Sequence, residues 1–277
     1  MFARTLWRSW RVGEHLATGT LVGLYAALRG RSRRLPSWLS RAVRWWHGRL
    51  VRALDVEVRI EGRLEPGCLL VGNHVSWLDI PILGAQGEIR FLAKSDVRHW
   101  PLIGWLAGLA GTRFIERGAH QSKSVVRQLL ADLASDRTVM IFPEGTTTDG
   151  RTLGHFHPRL FAIAQNSGVR VQPVAIRYRR RDTFALDLAV PYIGDDTLID
   201  NLSRLILHPG LIACVHFLPP MQTRGGESRR ALAERARAAI IEALGALETA
   251  PVINAQDRIE SICSDDGNPC RLEPGAA

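Results

Sequence analysis

The sequence lacks the short motifs that identify several common enzyme classes. It contains no Gly-x-Ser-x-Gly elbow, which argues against a serine hydrolase, and no glycine pattern of a phosphate loop or a dinucleotide site. Cysteine is also scarce, and no two cysteines form a Cys-x-x-Cys pair. The four cysteines therefore predict reduced thiols in a cytosolic setting, not a disulfide framework or a zinc site: Cys68, Cys214, Cys263 and Cys270.

An apolar run long enough to be a clear membrane span is missing as well. The only candidate, Leu16 to Leu28, has 13 residues, whereas a span needs about 20. Basic residues flank it on both sides, which contradicts a single orientation in the membrane. The arginines that follow it do not suit a signal-peptide cleavage site. We expect a helix lying in the membrane plane or re-entering it, with a tilted span as the alternative.

Positive charge is concentrated at the N-terminus. Residues 1–52 contain eleven arginines and one acid, Glu14, so this segment carries +10 and the remainder only −1. Five of the eight tryptophans lie there too. Arginine is attracted to anionic headgroups, and the indole ring is stable at a membrane interface. A nucleic-acid arm is the competing interpretation, but such arms lack interleaved Leu, Val and Trp. We therefore predict a membrane-associating segment over residues 1–54 and no nucleic-acid partner.

The rest of the chain has the pattern of an α/β protein. Short apolar or alternating segments are interspersed with amphipathic ones, which predicts a mixed sheet flanked by helices over residues 55–250. Residues 251–277 are polar and predict a flexible tail. Two helices, 1–29 and 38–54, predict an N-terminal hairpin. The strands are expected at 56–60, 68–72, 89–93, 138–142, 169–178 and 186–190, and further helices at 76–84, 122–135, 229–247 and part of 97–108.

The first segment with recognisable chemistry is Asn73-His74-Val75-Ser76-Trp77-Leu78-Asp79, directly after a predicted buried strand. A histidine at this position is exposed at the edge of the sheet, where α/β proteins build sites. If His74 lies ahead of the first helical turn, Asp79 can reach back to it, as the orienting carboxylate of a general base. Ser76 and Asp79 also form a capping-box pattern, so Asp79 has a purely structural interpretation too.

Three further segments are weaker signals individually. Arg117, after Gly111-Thr112-Arg113-Phe114, has the forked donors that suit a phosphate, although an exposed arginine is usually only solvated. Glu144-Gly145-Thr146 follows another buried strand and could be a simple turn. Pro173 interrupts a later strand and indicates an edge or a bulge bordering a site.

Together these four segments, from Leu69 to Ile176, resemble the glycerolipid acyltransferase family, which includes the 1-acylglycerol-3-phosphate acyltransferases. The resemblance implies that His74 is the base and Asp79 its partner. It also implies that Arg117 and the turn Glu144-Gly145-Thr146 hold the polar head of the acceptor. Other motif residues that it places in the substrate-binding set are Asn73, Ser76, Lys94 and Phe114.

The same resemblance predicts the reaction. A fatty acyl group is expected to pass from acyl-CoA or acyl carrier protein to the sn-2 hydroxyl of 1-acylglycerol-3-phosphate, at the cytoplasmic face of the inner membrane. No cofactor or metal is implied, and His155 and His157 lack an obvious third ligand. Many phosphatidate-forming members have Arg after the Glu-Gly-Thr, where this chain has Thr147. Lyso-ornithine lipid is therefore the alternative acceptor. A transacylase and a non-catalytic membrane-binding protein are the other hypotheses.

Overall fold

The computed structural model describes residues 2–29, 38–115 and 122–249. Within these residues the strands are β1 (Val56–Gly62), β2 (Leu69–Gly72), β3 (Ile89–Lys94), β4 (Arg113–Ile115), β5 (Thr138–Ile141), β6 (Val171–Arg180) and β7 (Leu211–Phe217). The helices are α1 (Phe2–Arg29), α2 (Trp38–Ala53), α3 (Asp79–Gly84), α4 (Ser95–Arg98), α5 (Ile103–Leu109), α6 (Ser122–Ala134), α7 (Ala162–Ser167), α8 (Leu198–Leu207) and α9 (Arg229–Thr249), with a 3-10 helix at Pro158–Phe161.

The described strands form one seven-stranded sheet in the order β1-β7-β6-β2-β5-β3-β4. The paired strands are parallel, except that β6 and β7 are antiparallel. The prediction of a mixed sheet flanked by helices is therefore confirmed. The parallel pairs place the carboxyl ends of β2, β5, β3 and β4 at one edge of the sheet, where the predicted site residues follow the strands.

The sheet has an apolar core on each face because side chains alternate along its central strands. Leu70 and Met140 contribute to one core with α2, α3 and α8, whereas Leu69 and Ile141 contribute to the other with α6, α7 and α9. Both neighbouring strands, β2 and β5, are buried along their whole length. Their ends are consequently fixed points on which loops can position side chains.

The two N-terminal helices pack against this domain. Val12 of α1 lies in the same apolar core as the sheet. Arg8 is buried and its Nη2 lies 2.7 Å from Asp55 Oδ2, while its Nη1 donates to the backbone carbonyl of Ile206. The indole of Trp46 in α2 donates to the carbonyl of His15 in α1. The link between the two helices, and the predicted tail, lie outside the described residues.

The expectation of a strand at Leu186–Val190 is wrong. Leu186 makes one isolated bridge to Arg179, and the chain then turns. The carboxylate of Asp187 accepts hydrogen bonds from two backbone N–H groups just beyond it, so those groups bond locally instead of joining a ladder. The predicted helix at residues 76–84 begins later, at Asp79.

Candidate active site

The predicted site residues follow neighbouring parallel strands. His74 comes directly after β2, and the segment Phe142–Gly145 comes directly after β5, the adjacent strand. Lys94 ends β3, next to β5, and Phe114 lies in β4, at the edge of the sheet. Since strands are spaced about 4.8 Å apart, Lys94 and Phe114 are roughly 10 and 14 Å from the β2 end, measured across the sheet. Arg117, which follows β4, lies outside the described residues.

His74 and Asp79 form a hydrogen-bonded pair. His74 Nδ1 and Asp79 Oδ2 are 2.7 Å apart, and Asp79 is 0% exposed while the side chain of His74 is 20% exposed. A carboxylate at Nδ1 selects the tautomer that carries its proton there. The Nε2 atom is then the ring nitrogen with a free lone pair, and it can take a proton from a substrate hydroxyl.

Asp79 also supports the loop between β2 and α3. Its Oδ2 accepts hydrogen bonds from the backbone N–H groups of Val75, at 2.9 Å, and Ser76, at 3.1 Å. The Oγ of Ser76 accepts from Leu78 N at 3.4 Å. The bond from Ser76 N is one of the two contacts of a capping box, but the Ser76 hydroxyl accepts from Leu78 N and not from Asp79 N, and α3 begins only at Asp79, without a side-chain cap. Asp79 therefore supports the loop ahead of α3 and also contacts His74, so the structural and the histidine-orienting interpretations do not exclude each other.

The His74 ring is held from one side by Phe142. The two rings are stacked, with centroids 4.0 Å apart and planes inclined by 12°. Phe142 is buried at the end of β5, so this apolar wall is rigid. The stacking excludes water from one face of the imidazole, and Asp79 occupies its Nδ1 edge.

Glu144 supports the backbone of the histidine. Its Oε1 accepts from His74 N at 2.8 Å, and its Oε2 accepts from Gly154 N at 2.7 Å. Burial raises the pKa of this carboxyl above its usual value, although the two backbone bonds oppose the rise. The next residue, Gly145, has a φ of 68°, which favours glycine. Thr146 is exposed at the tip of this turn.

The two threonines that follow the turn bind it to neighbouring loops. The Thr147 hydroxyl donates to the carbonyl of Tyr192. Thr148 N donates to the carbonyl of His74 at 2.8 Å, so the turn after β5 and the loop after β2 are directly joined. Tyr192 N in turn donates to the carbonyl of Val75. Three chain segments thus fix the position of His74.

Asn73 and Ser76, which the resemblance includes among the substrate-binding residues, are buried and bonded to the protein. The Asn73 amide exchanges two 2.8 Å hydrogen bonds with the backbone of Ile176 in β6. Substrate binding by these two residues stays a prediction. The Asn73 contacts fix the end of β2 against β6, whereas the Ser76 contacts lie within the loop after β2.

A contact that sequence analysis did not identify reaches Asp79 from β6. The hydroxyl of Tyr178 donates to Asp79 Oδ1 at 2.6 Å. The only sequence signal is weak: Tyr178 shares its face of the strand with Val174 and Ile176, and a tyrosine at an apolar position needs a hydrogen-bond partner.

A second histidine–aspartate pair has different geometry. His208 Nε2 lies 2.7 Å from Asp187 Oδ2, and His208 Nδ1 accepts a hydrogen bond from Gly210 N. Both side chains are buried, and both ring nitrogens are engaged by the protein. This pair consequently has no free nitrogen for proton transfer and is a structural element. Among the described residues, no cluster of three or more His, Cys, Asp or Glu side chains is arranged to hold a metal ion.

Comparisons with known proteins agree with this site. The protein-family model described as Acyltransferase matches residues 55–177. The chain is 43% identical over 247 residues to a lyso-ornithine lipid O-acyltransferase of Pseudomonas aeruginosa, covering 87% of this chain and 93% of that protein. It is 32% identical over 213 residues to a 1-acyl-sn-glycerol-3-phosphate acyltransferase of Neisseria meningitidis, covering 75% and 82% of the two chains.

The fold is also that of a solved structure. The crystal structure of the 1-acyl-sn-glycerophosphate acyltransferase PlsC from Thermotoga maritima superposes with a TM-score of 0.68. The match covers 90% of this chain and 97% of that one, at 20% sequence identity. On the sequence relationships and the matched domain, this chain belongs to the acyltransferase family and is an enzyme of that family.

Proposed function

We propose that this protein transfers a fatty acyl group from a thioester donor to the free hydroxyl of a lysolipid, and that the acceptor is lyso-ornithine lipid. The observation that carries the acceptor is the 43% identity to the Pseudomonas enzyme, over 93% of its length. The residue after Glu-Gly-Thr supports the same choice. It is Thr147, an uncharged side chain bonded to the Tyr192 carbonyl, where many phosphatidate-forming members have Arg.

The pair of His74 and Asp79 supplies the chemistry for this transfer. Nε2 of His74 takes the proton of the acceptor hydroxyl as that oxygen attacks the thioester carbonyl carbon. Asp79 holds the Nδ1–H tautomer and stabilises the imidazolium that forms. The carbon–sulfur bond then breaks, and the imidazolium returns its proton to the departing thiolate. His74 thus carries the proton from the acceptor hydroxyl to the thiolate, and the products are an ester and a free thiol.

The donor is a thioester of coenzyme A or of acyl carrier protein. Both present the same reacting group, a carbonyl carbon bonded to sulfur, and His74 acts on the acceptor in either case. Assays with each donor at matched acyl chain length distinguish them.

We further propose that α1 lies in the plane of a lipid bilayer at its cytoplasmic face. No helix among the described residues is long and apolar enough to cross a membrane. The 28-residue α1, about 42 Å long, buries Arg8 and His15 together with Val12 and Ala26, but exposes most of its large apolar side chains. The exposed set is Phe2, Leu6, Trp7, Trp10, Leu21, Leu24, Tyr25 and Leu28.

This reversal of the usual arrangement is the argument for a lipid partner. Large exposed apolar patches mark interaction surfaces, and Trp and Tyr are favoured at the membrane interface. Exposed arginines lie on the same helical pair, where anionic headgroups would attract them: Arg4, Arg41, Arg44 and Arg52. The exposed apolar side chains form two groups near the two ends of the helix, residues 2–10 and 21–28, so both ends of a helix lying in the plane would contact lipid.

Lysophosphatidate is the second candidate acceptor. The Neisseria relative, 32% identical over 82% of its length, favours it. The headgroups differ in a way that the enzyme must recognise, because ornithine offers a carboxylate and an ammonium group and lysophosphatidate offers a phosphate.

The test of the acceptor is a competition. The purified full-length protein is given labelled acyl donor with equal concentrations of lyso-ornithine lipid and lysophosphatidate in mixed micelles. We expect lyso-ornithine lipid to be acylated at least tenfold faster. A preference for lysophosphatidate would contradict the acceptor assignment and support the second candidate. The absence of transfer to any lysolipid would contradict the proposed function as a whole.

A further inference from the structure

The two oxygens of Asp79 have different partners. Oδ2 is surrounded by three donors, His74 Nδ1, Val75 N and Ser76 N. Oδ1 accepts from the hydroxyl of Tyr178 at 2.6 Å, and Tyr178 is 1% exposed. The second oxygen is therefore fixed from β6, the strand beside β2, and not from the loop that carries the histidine.

Rotation about the last side-chain bond of an aspartate is only weakly restricted, because it is an sp³–sp² torsion. The three donors around Oδ2 hold the position of that oxygen. The plane of the carboxylate is set only when the second oxygen, Oδ1, is held as well. The Tyr178 hydroxyl fixes this plane. It thereby decides how the lone pairs of Oδ2 point toward His74 Nδ1.

Tyr178 is suited to this task by its rigid surroundings. It lies within the antiparallel ladder between β6 and β7, opposite Ala213, and its carbonyl accepts from Asp187 N. Burial, together with the negative charge of Asp79, raises the pKa of the Tyr178 hydroxyl well above its usual value. The hydroxyl consequently stays protonated and acts as a donor over the whole working pH range.

We propose that Tyr178 is a positioning residue for acyl transfer, acting on His74 through the carboxylate of Asp79. The proposal rests on the proposed function in one respect, namely that His74 is the base. Tyr178 touches neither the acceptor nor the donor. Its loss should therefore lower kcat and leave the KM of both substrates unchanged.

The test compares Tyr178→Phe with a matched variant, Thr138→Val. Thr138 also has a buried hydroxyl in this sheet, which accepts from Gly67 N, but it begins β5 at the opposite end from the site. We expect Tyr178→Phe to lower kcat by about 10- to 100-fold, the loss typical of a hydrogen bond to a charged group. Each variant loses one buried hydroxyl, so Thr138→Val and Tyr178→Phe should lower the melting temperature to a similar extent. The kcat of Thr138→Val, per mole of folded protein, should be unchanged.

A double-mutant cycle identifies the route through Asp79. In an Asp79→Ala background the carboxylate through which Tyr178 would act is absent, so adding Tyr178→Phe should change kcat by less than about twofold. The proposal would be overturned if Tyr178→Phe lowered kcat by the same factor in the wild-type protein and in the Asp79 variant. It would also be overturned if folded Tyr178→Phe had the kcat of the wild type. The assay uses whichever lysolipid the wild type acylates. A wrong acceptor assignment would then change only which lysolipid the wild type acylates. A wrong role for Tyr178 would change only the comparison between the variants and the wild type.

Discussion

Replacement of Asp79 by asparagine removes the charge of the orienting residue with little change in its contacts. The two backbone N–H groups at Oδ2, from Val75 and Ser76, can only donate, so the amide oxygen must occupy that position. The amide nitrogen then faces Tyr178, whose hydroxyl can turn to accept. The oxygen still faces His74 Nδ1, and the productive tautomer is retained.

The magnitude of the effect follows from this geometry. When an aspartate-to-asparagine change flips the histidine tautomer, the rate falls by about 10⁴-fold. Here only the stabilisation of the imidazolium by a charge is lost, about 1–2 kcal/mol for exchanging a charged hydrogen bond for a neutral one. We therefore predict that kcat/KM of Asp79→Asn falls by about 5- to 30-fold, measured as thiol release from the donor.

The second histidine–aspartate pair provides the control. Asp187 also accepts from two backbone N–H groups and from a histidine, so Asp187→Asn makes the same chemical change in a buried pair without a free nitrogen. It should alter the melting temperature and leave kcat/KM unchanged. A folded Asp79→Asn enzyme with more than a third of wild-type activity would refute the reasoning, because Asp79 would then only support the backbone of the loop ahead of α3.

Three other predictions concern the acceptor, the membrane and pH. If a phosphate is bound, Arg117→Ala should raise the apparent KM for lysophosphatidate by about 10- to 100-fold, with partial recovery in Arg117→Lys and a smaller effect on lyso-ornithine lipid. An equal loss on both lipids would contradict a phosphate contact. Trp7→Ser with Trp10→Ser should weaken flotation with anionic vesicles at least about tenfold, whereas Ile199→Ser, an exposed change on α8, should not. Equal flotation of the wild type, the double tryptophan variant and Ile199→Ser would contradict membrane binding through α1. Burial lowers the pKa of His47 from 6.5 to about 4. Acid should therefore destabilise the fold from pH 6.5 down to about 4, because the unfolded chain binds the proton first, with a slope of up to about 1.4 kcal/mol per pH unit. His47→Gln should remove that part of the slope in urea unfolding, and an unaltered slope would exclude this residue as its source.

The local part of the site could be predicted from the sequence, and the distant part could not. The short spacing of His74 and Asp79 lies within one strand–loop–helix unit, so their contact depends only on where the helix begins. Tyr178 meets Asp79 because β6 lies beside β2, a fact of strand order that periodicity does not reveal. The backbone contacts of Glu144 were missed for the same reason, since they join the loops after two separate strands.

The fold was predictable where burial is uniform. The apolar runs at β2 and β5 match strands that are buried on both faces. The run Leu211–Phe217 was not identified as a strand, because a short continuous apolar segment fits a buried helix equally well. The segment Leu186–Val190 is apolar except for Asp187, yet it is not a strand, since the Asp187 carboxylate bonds to the backbone and turns the chain.

The most direct test of the account is a side-by-side assay of purified wild type and His74→Ala, with a labelled acyl thioester and the acylated lysolipid as the measured product. We predict that the wild type forms the ester. His74→Ala should lose about 10²- to 10⁴-fold in kcat, with its melting temperature and near-ultraviolet circular dichroism preserved. A folded His74→Ala protein that retains near-normal turnover would contradict the central claim that this histidine is the base for acyl transfer.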